Sequence, residues 1–329
     1  MKEIAMSKAV FIPHTGGPEL LQYGDVALPA LGPHDVRVRQ HACGLNFIDV
    51  YYRTGLYPLP ALPAILGMEA AGVVEETGGA VTTLQAGDRV AYCRPIGAYC
   101  ETRVMPADTL VKLPEAISFE QGAAMMLKGL TAQYLLRRTY RVQAGDTMLI
   151  HAAAGGVGLI VCQWAKALGA TVIGTVGTEE KAELARAHGC DFVIVTAREN
   201  VVERVREITG GVGVAVVYDS IGKDTFEASL DCLRPLGMMV SFGNASGPIG
   251  NFNPGILSQK GSLYLTRPTL MTYTAQRSDL ETMSAELFEM VVSGKVKIDI
   301  HQRYALKDVA QAHRDLEARK TTGSTVLMV

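Results

Sequence analysis

The chain has 329 residues, of which 48% are hydrophobic and 19% are charged, and this apolar content excludes an intrinsically disordered protein. Its 31 Lys and Arg residues against 33 Asp and Glu residues give a net charge of −2, which argues against general nucleic-acid binding and against a polybasic membrane anchor. The six cysteines are scattered without a C-x-x-C pair, and no apolar run is long enough to span a bilayer. We therefore expect a cytoplasmic protein with reduced thiols and about two domains.

The first hundred residues predict an irregular β domain. Turn formers such as Gly78-Gly79 separate short segments in which apolar and charged residues alternate, for example 36–39. From about Ser118 the pattern changes, because apolar residues then recur at helical spacing as far as Leu135. A long helix should therefore open the next region of the chain.

The segment 147–267 alternates apolar strands with amphipathic helices. The predicted strands are 148–153, 171–176, 192–195, 214–219, 238–242 and 263–266. The predicted helices are 157–168, 179–188, 201–208 and 225–233. This alternation is typical of a parallel sheet covered by helices on both faces, with a cofactor crevice at the carboxyl ends of the strands.

After Arg267 the sequence predicts two helices, 280–292 and 307–319, and a terminal strand, 325–329. These elements are too few to build a third core. We expect them to return to the first domain or to the edge of the sheet.

The segment 153–158 is the strongest local motif, because it lies between a predicted strand and a predicted helix. Against the dinucleotide fingerprint G-x-G-x-x-G, Gly155 and Gly158 match the second and third glycines, whereas Ala153 occupies the first position. Gly155 would let the backbone approach a pyrophosphate, and Gly158 would let the helix press against the strand. The alternative is a tight turn that binds nothing, and the regular strand-helix-strand context favours dinucleotide binding.

The end of the second predicted strand bears on the choice of cofactor. An NAD site usually places a carboxylate there, about 20 residues after the glycine turn, whereas 174–178 contains none. Glu179 and Glu180 follow in the first turn of a predicted helix, and Lys181 comes next. Small residues beside a cation suit the 2′-phosphate of NADP, although Lys181 could also be a solvated helix lysine.

Several blocks together resemble a known family. They are NFID at 46–49, RTGLYP at 53–58, GMEAAG at 67–72, AGDRV at 86–90, KGLT at 128–131 and HAAAGGVG at 151–158. Their order and spacing resemble the NADPH:quinone oxidoreductases, the zinc-free members of the medium-chain dehydrogenase/reductase superfamily that include the ζ-crystallins, and their bacterial branch in particular. The resemblance implies a Rossmann NADP-binding domain at 126–267 and a GroES-like, irregular β-barrel catalytic domain formed by 1–125 and 268–329.

The resemblance also implies an enzyme that works without zinc. Zinc alcohol dehydrogenases of the superfamily carry a cysteine where this chain has Asn46, and a histidine where it has Met68. An amide and a thioether cannot supply the thiolate and imidazole that a catalytic zinc requires. Alcohol oxidation is therefore disfavoured, whereas reduction of an electron-poor acceptor remains feasible.

The family pattern implies the site residue by residue. Asn46, Tyr51 and Tyr57 match positions that line the nicotinamide and acceptor pocket, and Asn46 could donate its amide N–H to a quinone oxygen. Without the resemblance they would be a turn asparagine and two half-buried aromatic residues. The positions that match cofactor contacts are Lys128, Thr131, Gly155, Gly156, Val157, Gly177, Lys181, Ser220, Phe242, Gly243, Asn244, Thr266, Arg267 and Arg319.

One position departs from the family pattern. Bacterial relatives carry a tyrosine beside the 2′-phosphate where this chain has Thr196. The preference for NADPH over NADH therefore rests less firmly on this part of the site than the family pattern alone implies.

The function implied is transfer of reducing equivalents from NADPH to a quinone in a metal-free cleft between the domains, with catalysis by positioning and exclusion of water. One alternative is an NADPH-dependent reductase of enones or 2-alkenals. Another is a cofactor-loaded structural or RNA-binding protein of the crystallin type, against which the net charge and the single Trp argue. Self-association into a homodimer or a tetramer is expected through an edge strand near 263–266.

Overall fold

The computed structural model describes residues 5–329, which divide into two compact units. One unit comprises 5–128 with 298–329, and the other comprises Gly129–Lys297. The second boundary differs from the expected one, because 268–297 belong to the second unit. No helix among residues 5–329 has the length and hydropathy needed to cross a membrane.

The regular elements follow one another in this order. The strands are β1 (Met6–Ile12), β2 (Gln22–Ala27), β3 (Asp35–Leu45), β4 (Ala64–Ile65), β5 (Glu69–Thr77), β6 (Arg89–Tyr92), β7 (Thr102–Pro106), β8 (Val111–Lys112), β9 (Thr147–Ile150), β10 (Thr171–Val176), β11 (Phe192–Val195), β12 (Val214–Asp219), β13 (Leu233–Ser241), β14 (Tyr264–Thr266), β15 (Ile300–Ala305) and β16 (Ser324–Met328). The helices are α1 (Phe47–Thr54), α2 (Phe119–Tyr134), α3 (Gly156–Ala167), α4 (Glu179–Ala187), α5 (Val201–Ile208), α6 (Phe226–Asp231), α7 (Gly255–Gln259), α8 (Leu270–Tyr273), α9 (Arg277–Val292) and α10 (Val309–Glu317).

The first unit is built from two small sheets. One has the strand order β2-β1-β4, and the other has the order β15-β16-β3-β5-β6-β8 with β7 paired to β3. The carboxyl-terminal strand β16 runs antiparallel to β3, so the last residues of the chain complete the sheet that its first hundred residues begin. The larger sheet of this unit is therefore assembled from two distant stretches of sequence.

The second unit contains a six-stranded parallel sheet with the order β11-β10-β9-β12-β13-β14. This is the 3-2-1-4-5-6 order of a Rossmann fold, which places a ligand at the carboxyl ends of the strands. All six residues of the central strand β12 are buried, as expected for a strand covered on both faces. The predicted alternation of strands and helices is confirmed.

Helix α9 explains why the boundary between the units lies near residue 297. A Cβ atom added to Gly129 on α2 would lie 2.6 Å from the Leu287 side chain of α9, so the two helices are in close contact there. Glu286 of α9 accepts hydrogen bonds from Gln133 at 2.8 Å and from Arg137 at 2.9 Å. The apolar stripe predicted for this helix therefore packs within the second unit.

Candidate active site

The turn between β9 and α3 has the geometry of a phosphate-binding turn. Ala152 adopts φ +54°, and the first hydrogen bond of α3 runs from Leu159 N to Gly155 O. The N–H groups of 156–158 therefore lack partners within the helix and face its amino end. A Cβ on Gly158 would lie 2.4 Å from Ala152 O, so only glycine allows this approach. Gly155, Gly156 and Val157 thus line an end suited to an anion such as a pyrophosphate.

A second group of predicted residues lies where β10 and β11 end. Thr196 donates a hydrogen bond from Oγ1 to Val176 O at 3.2 Å, which brings the residue after β11 against the end of β10. A Cβ on Gly177 would meet open space. Thr178 caps α4 by accepting a hydrogen bond from Lys181 N at 3.4 Å. Gly177, Lys181 and Thr196 therefore share one edge of the sheet.

A third group occupies the ends of β12, β13 and β14. A Cβ on Gly243 would lie 2.4 Å from Ser220 O, so the loops after β12 and β13 run in contact. Arg267 donates from Nη1 to the Ser241 carbonyl at 3.0 Å. With its amide nitrogen directed at Gly243 O, Asn244 accepts from Arg267 Nη2 at 3.1 Å. The structure thus gathers at this edge the predicted residues Ser220, Phe242, Gly243, Asn244, Thr266 and Arg267.

His151, beside the glycine turn, is buried and fully hydrogen-bonded. Its Nδ1 lies 2.9 Å from Thr175 Oγ1, and its Nε2 lies 3.0 Å from Ser229 Oγ. Ser229 in turn donates to Asp219 Oδ2 at 2.8 Å. Burial lowers the pKa of His151, so the ring is a neutral structural group.

In the first unit, Asn46 immediately precedes α1, and its side chain is fixed by a buried ion pair. Its Nδ2 donates to Glu69 Oε1 at 2.8 Å, and Lys128 Nζ donates to the same oxygen at 2.5 Å. The other Glu69 oxygen accepts from Leu127 N at 2.6 Å. Glu69 is fully buried and Lys128 is 5% exposed. Since an amide nitrogen carries two N–H groups, Asn46 keeps one for a further acceptor.

Tyr51 and Tyr57 are brought together by α1, which begins directly after Asn46, and by the turn that follows this helix. The helix ends at Gly55 with φ +81°, and the chain then turns back so that Tyr57 N donates to Tyr51 O at 3.0 Å. The two rings meet edge to face, with centroids 5.2 Å apart. The three residues predicted to line the acceptor pocket therefore belong to one local structure.

Three further predicted cofactor residues, Lys128, Thr131 and Arg319, are divided between the two units. Lys128 belongs to the first unit and serves there as the counter-ion of Glu69. Thr131 is buried on α2 in the second unit. Arg319 follows α10 in the first unit with φ +59°.

The sequence pattern did not single out Asp49, which caps α1 by accepting Asn46 N at Oδ2, 2.9 Å away. Tyr99 donates its hydroxyl to the same oxygen at 2.8 Å, whereas Oδ1 is buried without a partner. Burial raises the pKa of Asp49 to about 7. Its spacing of three residues from Asn46 is the capping-box signal that could have identified it.

A chain of hydrogen bonds connects Asp49 to the surface. His313 Nε2 lies 3.3 Å from Tyr99 Oη, and its Nδ1 lies 3.0 Å from Arg53 Nη1. Because a guanidinium only donates, Nδ1 is the acceptor and Nε2 carries the proton. Arg53, itself 1% exposed, donates to both carboxylate oxygens of Glu317 at 2.7 and 2.9 Å. Burial, with a smaller contribution from Arg53, lowers the pKa of His313 to about 3.

Among the described residues, no group of three or more His, Cys, Asp or Glu side chains is placed to hold a metal ion. The position next to Glu69 in this unit carries the buried thioether of Met68, and Glu69 itself is engaged by Asn46 and Lys128. These are poor donors for zinc.

Comparison with known proteins places these two units in one family. The profile described as the alcohol dehydrogenase GroES-like domain matches 32–115, and the profile described as zinc-binding dehydrogenase matches 156–289. The quinone oxidoreductase of Pseudomonas aeruginosa is 57% identical over 98% of this chain and 100% of its own length. The 2-haloacrylate reductase of a Burkholderia species is 47% identical over 98% of this chain and 99% of its own.

The comparison with solved structures leads to the same family as the comparison of sequences. The crystal structure of Escherichia coli quinone oxidoreductase complexed with NADPH superposes with a TM-score of 0.96 at 51% identity, covering 99% of this chain and 100% of that one. A TM-score of 0.96 over both full lengths shows that the two chains share one fold. The chain therefore belongs to the quinone oxidoreductase family of the medium-chain dehydrogenases and reductases.

Proposed function

We propose that this protein is a zinc-independent NADPH:quinone oxidoreductase. The observation that carries the proposal is that a phosphate-binding turn in a Rossmann sheet occurs in one chain with an asparagine amide that is fixed by a buried ion pair. The likeness to an enzyme solved with NADPH supports the choice of cofactor.

The second unit supplies the residues that would hold the cofactor. The N–H groups of 156–158 bind the pyrophosphate, and Lys181 faces the 2′-phosphate. The polar edge formed by Ser220, Asn244 and Arg267 holds the ribose and the nicotinamide amide. When bound, NADPH supplies the reducing equivalents, and the protein orients it and excludes water.

The first unit supplies the residues that would hold the acceptor. Glu69 and Lys128 fix the Asn46 carboxamide, whose second N–H donates to a quinone oxygen as negative charge develops there. Tyr51 and Tyr57, whose rings lie edge to face, would supply an aromatic surface against which a planar quinone ring packs.

An acceptor panel tests this proposal. We expect NADPH oxidation with 1,4-benzoquinone or a naphthoquinone to exceed that with a small enone in kcat/KM. The resemblance to a 2-haloacrylate reductase makes an activated alkene the informative competitor. A clear preference for the enone would replace the proposal with alkene reduction, and tight NADPH binding without turnover of any acceptor would favour a binding protein.

For the assembly we propose a homodimer formed through β14. This strand pairs with β13 on one side and is the last strand of its sheet, and Tyr264 on it is 58% exposed. Pairing of two such strands about a two-fold axis would continue the sheet across both copies. Light scattering should give twice the chain mass of 35.2 kDa for the wild type and the chain mass for Tyr264→Asp, whereas a monomeric wild type would contradict the dimer.

For the compartment we propose the cytoplasm. Cys162 and Cys190 lie with their sulfur atoms 3.3 Å apart as free thiols. Two neighbouring thiols persist best in a reducing environment. Alkylation of denatured protein from freshly lysed cells should label both cysteines, and recovery of a Cys162–Cys190 disulfide would contradict this compartment.

A further inference from the structure

An ion-paired cluster surrounds Glu179, the first residue of α4, close to the point where β10 ends. Arg198 donates from Nη2 to Glu179 Oε2, and Arg186 donates from Nη1 to Glu179 Oε1 at 3.3 Å. The side chains of Arg198 and Glu179 are 62% and 45% exposed. The pairing therefore holds a guanidinium at the surface of the sheet edge where the proposed cofactor's adenosine end binds.

The cluster changes how Glu179 acts toward a nucleotide. A carboxylate that follows the second strand of a Rossmann sheet usually accepts hydrogen bonds from a ribose 2′-hydroxyl and repels a 2′-phosphate. Here both oxygens of Glu179 are engaged by guanidinium groups. Its negative charge is thereby balanced, and the residue becomes an anchor for Arg198.

In the loop after β11, Arg198 rather than Thr196 is the residue suited to donate hydrogen bonds to a bound phosphate. Thr196 uses its hydroxyl hydrogen on the Val176 carbonyl, so that hydrogen is not directed at a ligand. Arg198 N donates to Val195 O at 3.0 Å, which forms a turn after β11. The contact with Glu179 then places the Arg198 guanidinium near the end of β10. A guanidinium can give two parallel hydrogen bonds to a phosphate, which a threonine cannot.

We infer that Arg198, positioned by Glu179, is a specificity-determining residue that selects the 2′-phosphorylated cofactor. Lys181, two residues after Glu179 on α4, would attract the 2′-phosphate by its charge, and Arg198 would bind it through directed hydrogen bonds. This inference rests on the proposed NADPH dependence. It assigns to Arg198 a role that a tyrosine at position 196 would otherwise fill.

The test measures binding without turnover. Isothermal titration compares adenosine 2′,5′-bisphosphate with adenosine 5′-monophosphate, which differ only in the 2′-phosphate. For Arg198→Ala we expect the affinity for the bisphosphate to fall about tenfold or more, with the affinity for the monophosphate unchanged. Arg198→Lys should lie between the wild type and Arg198→Ala, because it keeps the charge and loses the paired geometry.

Arg204→Ala is the matched control. Arg204 is also a half-exposed, ion-paired arginine, but its partners are Glu199 and Glu207. This variant should bind both nucleotides as the wild type does. Equal losses for both ligands in Arg198→Ala, or no loss for either, would overturn the inference.

The outcome is separable from that of the proposed function. If the wild type turns over no quinone but Arg198→Ala still loses bisphosphate affinity selectively, the function fails and the role of Arg198 stands. If quinone turnover proceeds and Arg198→Ala retains its selectivity, the function stands and the role of Arg198 fails. Exposed ion pairs contribute little to stability, so Arg198→Ala should unfold at the wild-type temperature.

Discussion

Asn46 and Lys128 donate hydrogen bonds to the same oxygen of Glu69, at 2.8 and 2.5 Å. The pair is buried, so the lysine neutralises a carboxylate that water does not reach. Orientation of the proposed acceptor-binding amide therefore depends on an ion pair between the first residue of β5 and a residue of α2.

Removing Lys128 should destabilise the protein more than removing the whole ion pair. Lys128→Met leaves the buried Glu69 carboxylate without its cation, and such losses cost about 3–5 kcal/mol. The double variant Glu69→Gln with Lys128→Met carries no buried charge at these two positions, so we expect it to recover most of that loss. Urea denaturation measures the free energy of unfolding of both variants. A Lys128→Met variant as stable as the wild type would contradict the structural role of the pair.

Asp49 should make a contribution to stability that declines as pH rises. Its folded pKa of about 7 lies above its ordinary value of 3.8 because of burial, so the folded protein retains a proton that the unfolded chain releases. The difference in unfolding free energy between the wild type and Asp49→Asn should therefore shift against the wild type between about pH 4 and pH 7. A difference independent of pH across this window would contradict the raised pKa.

His313 should have the opposite dependence. Burial holds its folded pKa at about 3, below the ordinary 6.5, so protonation favours the unfolded chain. Its contribution is complete above about pH 6.5 and is lost as pH falls toward 3. Relative to the wild type, His313→Gln should therefore gain stability on acidification through this range. Chemical denaturation at a series of pH values measures the change, and parallel pH profiles would count against it.

Gly158→Ala should disrupt the turn at the start of α3. The added Cβ would lie 2.4 Å from Ala152 O and 2.6 Å from Ala153 O, both backbone atoms that cannot move aside freely. We expect a loss of about 1–3 kcal/mol in stability and weaker binding of NADPH. Gly250→Ala is the control, because a Cβ there meets nothing within 4 Å. Equal behaviour of the two variants would contradict the tight helix–strand approach.

The sequence predicted the second unit well because its strands are buried on both faces and each helix keeps one apolar face. The sequence did not predict the partner of α9, because an apolar stripe indicates that a helix is packed but does not identify the element that it packs against. Strand β15 was also missed, because alternate exposed residues give 300–305 a weak apolar pattern. The hydrogen-bonded chain through Tyr99 and His313 joins residues more than 200 positions apart, which local spacing cannot reveal.

The most direct test of the account is kcat/KM for a quinone in the wild type and in Asn46→Ala, measured by NADPH oxidation with the affinity for NADPH determined in parallel. Loss of a donor to developing negative charge costs about 100-fold or more. The account predicts a fall of that size in kcat/KM with NADPH binding unchanged. Quinone reduction by Asn46→Ala at the wild-type rate, or absence of quinone reduction by the wild type, would contradict it.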